Sequence, residues 1–520
     1  MAKRLPLPLA LLLLFLLPAC QAKTPYNPAD RTYSKAMVAP PNIPLRQGAE
    51  HALAGDSQQQ GSGFYLLHDG LSAFVARVAL IEAARSSLDL QYYIFSDDTA
   101  GRIIISKLLD AADRGVRVRL LVDDLGTRIA EPLAATLAEH PNIEIRLFNP
   151  VKSRGGFSRA WQMARHFGRA NHRMHNKLMM ADASVMIAGG RNLGDEYFSN
   201  TNVDFQDVDV AAIGDIVAQG SASFDRYWNS PASVPIDQVL DANDAPMDLD
   251  ALRQALVDFV GRQKDSEYVR ALVDSALGRK LVDGQVPLVW GQATLYADPP
   301  EKAYQREQLE RDDYLGASVK RILDDTHSRL LISSAYFVPG DAGAAHLQSL
   351  SERGVAVSIL TNSLSTTDVA IVHSGYASYR QSLLEGGIQL WELRSQAEQQ
   401  QRMHWFKGKS RASLHAKTFV LDEDRVFIGS MNLDGRSVLQ NTEVGLLIDS
   451  PELNRHLADL FHQWTAPSAA WKLRLTKDND LQWQASDQGN AVIKDHDPET
   501  SGWQRFKVWA LSLLPVESQI

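Results

Sequence analysis

One block of residues occurs twice in this chain of 520, and that duplication limits the folds open to it more than any other feature. His175-Asn176-Lys177 is followed by Asp182 and then by Gly189-Gly190-Arg191-Asn192. His415-Ala416-Lys417 is followed at the same spacing by Asp422 and then by Gly429-Ser430-Met431-Asn432. Side chains alternate faces along a β-strand, so a His and a Lys two apart point to one side. Each copy therefore offers an imidazole and an ammonium to one place.

The repetition reaches well beyond these motifs. Leu71, Phe74, Val75 and Val78 recur at helical spacing, and strands are expected at 88–95, 116–122 and 143–148, with a helix over 102–113. The pattern restarts with a helix at 318–325 and strands at 330–338, 353–360 and 388–393. Strands separated by helices predict an α/β layer with parallel pairing. A repeat that starts again after about half the chain is too long for a solenoid unit, so it predicts two homologous α/β domains. The expected limits are 63–234 and 287–467, joined by a polar, helical connection at 235–286 and followed by a segment at 468–520.

The N-terminus carries Lys3 and Arg4, an apolar run over 5–17, and then Leu17-Pro18-Ala19-Cys20. The run is too short for a membrane span, which takes about 20 apolar residues, and has the layout of a secretory signal. It resembles a bacterial lipoprotein signal at 1–19, in which Cys20 is lipidated and becomes the first mature residue. That resemblance implies a periplasm-facing protein of the bacterial envelope, held to a membrane by its lipid. Cys20 is the sole cysteine, so no intrachain disulfide is possible. The Pro-, Gln- and Ser-rich stretch at 20–62 is expected to be a tether. A net charge of −9 argues against a whole-surface nucleic-acid binder, and no nucleic-acid partner is expected.

Two imidazoles at one site divide the work at a phosphodiester: a neutral one attacks phosphorus and a protonated one supplies the proton that the leaving alkoxide needs. Histidine suits both tasks because its ordinary pKa lies near neutrality. Lys177 and Lys417 are expected to hold phosphate oxygens as charge develops, and Asn192, Ser430 and Asn432 to donate further hydrogen bonds. No zinc-type Cys/His set or HExxH occurs, and His172 is expected to shape its loop.

The paired HxK(x)4D motifs followed by GG/GS-x-N resemble the phospholipase D superfamily. The likeness covers about 63–467, and Gln91-Tyr92-Tyr93-Ile94-Phe95 and Arg173-Met174-His175-Asn176-Lys177 look most like the C-type cardiolipin synthases of bacteria. It implies two phospholipase D-like α/β domains in a pseudo-twofold bilobal enzyme, phospholipid substrates, and a phosphohistidine intermediate formed without metal or other cofactor. It also implies His175 as nucleophile and His415 as general acid and then base; the sequence itself is too symmetric to choose. Members orient each histidine with a carboxylate further along. Aligning the repeats at 206–210 and 442–446 pairs Asp207 with Glu443, while Asp209 faces Gly445, so Asp207 and Glu443 are the candidates. Asp182 and Asp422 fall at a hairpin turn and are expected to be structural.

Gly190 stands where the second half has Ser430, so the halves are expected to differ in phosphate binding. Lys152, Arg154, Arg159, Arg165, Arg169 and Arg173 around Trp161, Met163 and Phe167 precede His175. Arg402, Lys407, Lys409 and Arg411 around Met403, Trp405 and Phe406 precede His415. Such stretches suit an anionic lipid surface and would also suit single-stranded nucleic acid, whose bases stack on aromatics. The tail with Trp503, Phe506, Val508, Trp509, Leu511, Leu513 and Leu514 suits a membrane interface or a docked helix. The leading expectation is cardiolipin synthesis, with hydrolysis to phosphatidic acid as the alternative, then phosphodiesterase nuclease activity.

Overall fold

The computed structural model describes residues 32–54, 61–151, 171–198, 203–240, 248–395 and 411–512. The first half contains β1 Ser62–Leu67, β2 Ser87–Tyr92, β3 Arg117–Asp123, β4 Ile143–Phe148, β5 Leu178–Ala181, β6 Val185–Gly189, β7 Val203–Gln206, β8 Asp209–Gly214 and β9 Ser233–Pro235. The second contains β10 Val289–Ala297, β11 Arg329–Ser334, β12 Ala356–Asn362, β13 Gln389–Leu393, β14 Arg411–Leu414, β15 Lys417–Leu421, β16 Arg425–Gly429, β17 Val444–Asp449, β18 Ala470–Leu475, β19 Leu481–Asp487 and β20 Asn490–Lys494.

Outward from the centre, the first half pairs as β1-β8-β6-β5-β2-β3-β4-β9. The second pairs as β10-β17-β16-β15-β11-β12-β13-β18-β19-β20. β1 pairs antiparallel with β10, so the halves share one 18-stranded sheet about a pseudo-twofold axis. The parallel trio β2-β3-β4 matches β11-β12-β13. These strands are buried along nearly their whole length, and charged residues on them are paired there, Arg119 with Asp89 (2.7 Å) and Glu392 with Arg380 (2.8 Å). One core runs from Met174, Leu178 and Met186 to Leu414, Val426 and Leu446, so the two lobes meet through packed apolar side chains.

Asp182 and Asp422 take positive φ (both 51°) in the β5–β6 and β15–β16 turns. Asp182 accepts from the N–H groups of Arg85, Ser86 and Ser87, and Asp422 from those of His327, Ser328 and Arg329. Each thus ties its hairpin to the start of the neighbouring strand.

Two stretches differ from expectation. Within the expected tether, residues 33–54 are docked on the first lobe. Ser34 accepts from Arg119 and Asn229, Ala36 N–H donates to Asp225, and the helix Pro44–Ala54 buries Leu45 and Ala49. So short an apolar face disappears in Pro- and Gln-rich composition. The segment after 467 begins with β18–β20, which extend the sheet, and its helix Gly502–Ser512 packs against the helix Ala370–Ala377. The connection forms three helices, Leu249–Arg262, Glu267–Asp274 and Leu277–Val282.

Candidate active site

The strands that follow the motifs begin past the histidines, β5 at Leu178, beyond the whole first His-x-Lys, and β15 at Lys417. His175 and His415 lie just before β5 and β15, and the chain leading into each is clasped by the opposite lobe. β14 pairs in parallel with β7, and His415 N–H and Ala416 N–H both donate to Gln206 O (2.8 and 3.0 Å). The other clasp is shorter: Met174 bridges to Thr442, His175 N–H donates to Thr442 O (2.8 Å) and Thr442 N–H to Arg173 O (2.9 Å). Asp123 at the end of β3 accepts from Met174 N–H (2.9 Å), and Asn362 at the end of β12 does the same for Leu414 N–H (2.9 Å).

This clasp crosses the two motifs. His415 Nδ1 lies 2.5 Å from Asp207 Oδ2, and His175 Nδ1 lies 2.9 Å from Glu443 Oε2. Each imidazole is therefore oriented by a carboxylate of the other half. With Nδ1–H facing the carboxylate, Nε2 is left with its lone pair toward the site. Each histidine also meets an aromatic edge, His175 at Tyr93 (5.1 Å) and His415 at Tyr197 (5.2 Å). Lys177 Nζ donates to His175 O (2.6 Å), and Lys417 Nζ donates to His415 O. One of three N–H bonds thus fixes each ammonium and leaves two for an anion.

Asn192 accepts from Ile94 N–H (3.1 Å) and Asn432 from Tyr336 N–H (3.4 Å) through their amide oxygens, which leaves the NH2 end of each as a donor. Ser430 departs from its expected role. Its hydroxyl donates to Glu443 Oε2 (2.5 Å) and accepts Val444 N–H (3.0 Å), so it holds the orienting carboxylate. At Gly190 a Cβ would lie 2.1 Å from Asp207 Oδ1, so the shorter acid fills the space that the missing hydroxyl leaves.

The carboxylates are supported by groups that the sequence reading passed over. Arg191, fully buried, donates to Asp207 O (2.7 Å), to Leu67 O (2.7 Å) and to Asp209, which is paired with buried Arg77 (2.9 Å). In the second lobe Asp298 accepts Glu443 N–H (2.9 Å) and pairs with Lys302 (2.9 Å), both buried. The register that pairs Gly189 with Asp209 and Gly429 with Gly445 carried a signal: Asp209 is an acid opposite a glycine.

Burial shifts the ionisation of the whole site. Desolvation, reinforced by Lys177 and Lys417, lowers His175 well below its ordinary value; desolvation and Lys417 lower His415 to about 4 against the pull of Asp207. Desolvation also lowers Lys177 to about 7 and Lys417 to about 8. Burial raises Glu443 to about 7. Burial would raise Asp207 too, but His415, Lys417 and Arg191 outweigh it and hold Asp207 well below the usual carboxylate range.

The remaining sequence features fall as follows. His172 Nδ1 contacts Gln440 O (2.8 Å) across the lobes. Arg173 is buried on Asp123 and Asn149 O, so it does not belong to a basic surface. Residues 152–170 and 396–410, which carry nearly all of the two basic-aromatic stretches, lie outside the described residues, as does Cys20. Among the described residues no group of three or more His, Cys, Asp and Glu could hold a metal ion.

Two α/β lobes that exchange carboxylates across paired HxK motifs define a phospholipase D-like protein. A family model described as "Cardiolipin synthase, PLD-like domain" matches residues 78–228 and 319–465, and the chain belongs to that family. It is 41% identical over 466 residues to cardiolipin synthase C of Escherichia coli (strain K12), covering 89% of this chain and 97% of that one. It is 30% identical over 494 residues to an uncharacterized protein of Helicobacter pylori (strain ATCC 700392 / 26695), covering 94% of each. Among solved structures, its fold is similar to phosphatidylserine synthase of Haemophilus influenzae Rd KW20, with a TM-score of 0.55 at 13% identity over 91% of this chain and all of that one.

Proposed function

We propose that this chain is a phosphatidyltransferase that makes cardiolipin from phosphatidylglycerol and a second phospholipid. The observation that carries this reading is the pair of imidazoles with crossed carboxylates, each beside a buried lysine. His175 Nε2 attacks the phosphorus of the donor lipid. The bond from phosphorus to the head-group oxygen breaks, and His415 gives that oxygen its proton. The phosphatidyl group is then held on His175, with Lys177, Lys417, Asn192 and Asn432 on the phosphate oxygens. His415, now neutral, takes the proton from a hydroxyl of phosphatidylglycerol. That oxygen attacks phosphorus, the bond to Nε2 breaks, and cardiolipin leaves with both histidines restored. Asp207 and Glu443 fix the tautomers.

The lipid surface is reached through lipidated Cys20 on the periplasmic side of an envelope membrane. The helix Gly502–Ser512 adds a second contact, with Trp503, Phe506 and Trp509 stacked along one exposed face beside Lys507. Among the described residues no helix is long and apolar enough to cross a membrane.

The test supplies the purified protein with phosphatidylglycerol vesicles, with and without phosphatidylethanolamine, and identifies products by lipid mass spectrometry. Cardiolipin is the expected product. Phosphatidic acid alone would replace the transferase with a hydrolase, and cleavage of nucleic acid alone would remove both lipid readings.

A further inference from the structure

The second lobe contains an apolar cavity of about 410 Å3 between the helices Leu315–Asp324 and Gly340–Glu352. Val319, Leu323, Phe337, Leu347, Met431 and Val438 form its walls, with Lys320 and His346 also lining it. The first lobe has the same two helices, Gly70–Ala83 and Thr99–Asp113, yet that place is filled. Asp182 and Asp422 bind equivalent turns, and this register puts Phe74 where the second lobe has Gly316 and Arg77 where it has Val319. The bridges Phe95 to Leu193 and Phe337 to Leu433 likewise match Phe198 with Val438. Phe74 packs on Phe198 (5.5 Å) and on Tyr268 (4.5 Å), which the connecting helix Glu267–Asp274 brings in fully buried. The pseudo-symmetry thus shows how much apolar volume this place takes, and the second lobe leaves it open.

The cavity shares a wall with the active site. Asn432 belongs to the site, while its neighbours Met431 and Leu433 on either side line the cavity. One short helix, Gly435–Leu439, separates the two: Arg436 reaches Asn171 (2.6 Å) in the loop that leads to His175, and Val438 and Leu439 line the cavity. Asp434 caps that helix by accepting Ser437 N–H (2.6 Å), so its carboxylate is occupied. The volume falls in the range of small-ligand pockets, and an apolar cavity of this size favours an apolar guest over water.

We propose that this cavity receives one acyl chain of the phospholipid whose phosphate is processed at the paired histidines. The inference rests on the function proposed above. It assigns the tail to the second lobe, because Phe74, Phe198 and Tyr268 fill the matching place in the first.

The experiment uses the full chain and vesicles of phosphatidylglycerol with a diazirine near the acyl terminus, and maps cross-links by peptide mass spectrometry. Label is expected in peptides containing Leu323, Leu347 or Val438. It should fall about tenfold or more in Gly316→Phe, which places in the cavity the ring that the first lobe carries. Ala342→Trp covers the mouth from an exposed helical position and serves if Gly316→Phe does not fold; the same fall is expected. Label elsewhere only, or label unchanged in a folded variant, overturns the acyl site; so does a cavity closed to lipid because a protein helix fills it, as in the first lobe. Cardiolipin synthesis is scored in the same vesicles, so an unlabelled cavity with synthesis intact removes this inference alone. Absence of synthesis with the cavity labelled removes the function and leaves a lipid-binding cavity.

Discussion

The two half-sites are built from one repeated motif, and they differ in what grips the orienting carboxylate. Asp207 is gripped from the carbonyl side: a buried cation, Arg191, donates to its backbone oxygen, and a Cβ at position 190 would meet its side chain. Glu443 is gripped from the amide side: a buried anion, Asp298, accepts its N–H, and the Ser430 hydroxyl holds its side chain. His415, Lys417 and then Arg191 outweigh burial and favour the charged form of Asp207, whereas burial outweighs Lys177 and the Ser430 hydroxyl and weakens that of Glu443. An imidazolium gains more from an ionised partner, so on the proposed reading His415 is the better acid and His175 stays neutral as the nucleophile. Burial holds both imidazoles low, and an arriving phosphodiester supplies the negative charge that raises them again.

The largest effect expected is from His175→Ala, which removes both synthesis and the labelled phosphoenzyme. His415→Ala should lose about 10²–10⁴-fold with an ordinary phospholipid donor. It should still form phosphoenzyme from a p-nitrophenyl phosphodiester, whose leaving group needs no proton. Rapid-quench labelling reads both, and label that persists in His175→Ala but vanishes in His415→Ala reverses the assignment.

Next comes an exchange of the residue that breaks the symmetry. Gly190→Ser drives a side chain into the Asp207 carboxylate and releases the His415 tautomer, with an expected loss of about 10²–10³-fold in kcat/KM, below the roughly 10⁴-fold that outright loss of an orienting carboxylate costs, because the acid is displaced and not removed. A melting temperature close to the parent's separates this from unfolding. A fall of less than about tenfold would mean that His415 holds its tautomer without Asp207.

The paired lysines give a smaller effect with a definite sign. An ammonium binds phosphate only while protonated, and burial has brought Lys177 to about 7 and Lys417 to about 8. Phosphate binding is therefore nearly full only below about pH 6 and declines as pH rises through 7 to 8, which gives kcat/KM an alkaline limb. Lys177→Arg keeps its charge at all working pH, so the limb should move upward, with a loss of about tenfold at pH 7 from the altered geometry. A limb that stays in place assigns it to another group.

The repeat made the fold legible. Strands at 88–95 and 330–338 appear as β2 and β11, and the restart of the pattern at the second helix is the pseudo-twofold sheet. The pairing of Asp207 with Glu443 by alignment named two acids, but alignment cannot say that each crosses to the other lobe; the β7–β14 clasp that does this spans some 200 residues of sequence. Asp123 and Asn362 stand at matched ends of β3 and β12 just beyond the expected strands, and nothing local marks them, because their role is to accept a backbone N–H that only the fold brings near. Asp298 was illegible in a stronger sense. The residue that it serves, Glu443, is reached only when β10 pairs with β17. Residues 33–54 misled through composition, since their docking rests on backbone groups of Ser34 and Ala36 and on a short apolar face, Leu45 and Ala49.

The smallest expected change sharpens the comparison most. Ser430→Ala removes one hydroxyl that donates to Glu443 Oε2 and accepts Val444 N–H, and no side chain enters a new place. A hydrogen bond to a charged group contributes about 1.5 kcal/mol at the low end, so the loss near pH 7 should be about tenfold. The hydroxyl also stabilises the ionised form of Glu443, so its removal raises that group further above about 7. More of the variant than of the parent then carries a neutral Glu443 at pH 7, and the excess disappears once the pH exceeds both values. Taken as a ratio of parent to variant, which cancels the lysine limb common to both, the deficit should shrink steadily from pH 6.5 to 8.5. A ratio flat with pH would reduce Ser430 to packing and leave burial alone as what sets Glu443 apart from Asp207.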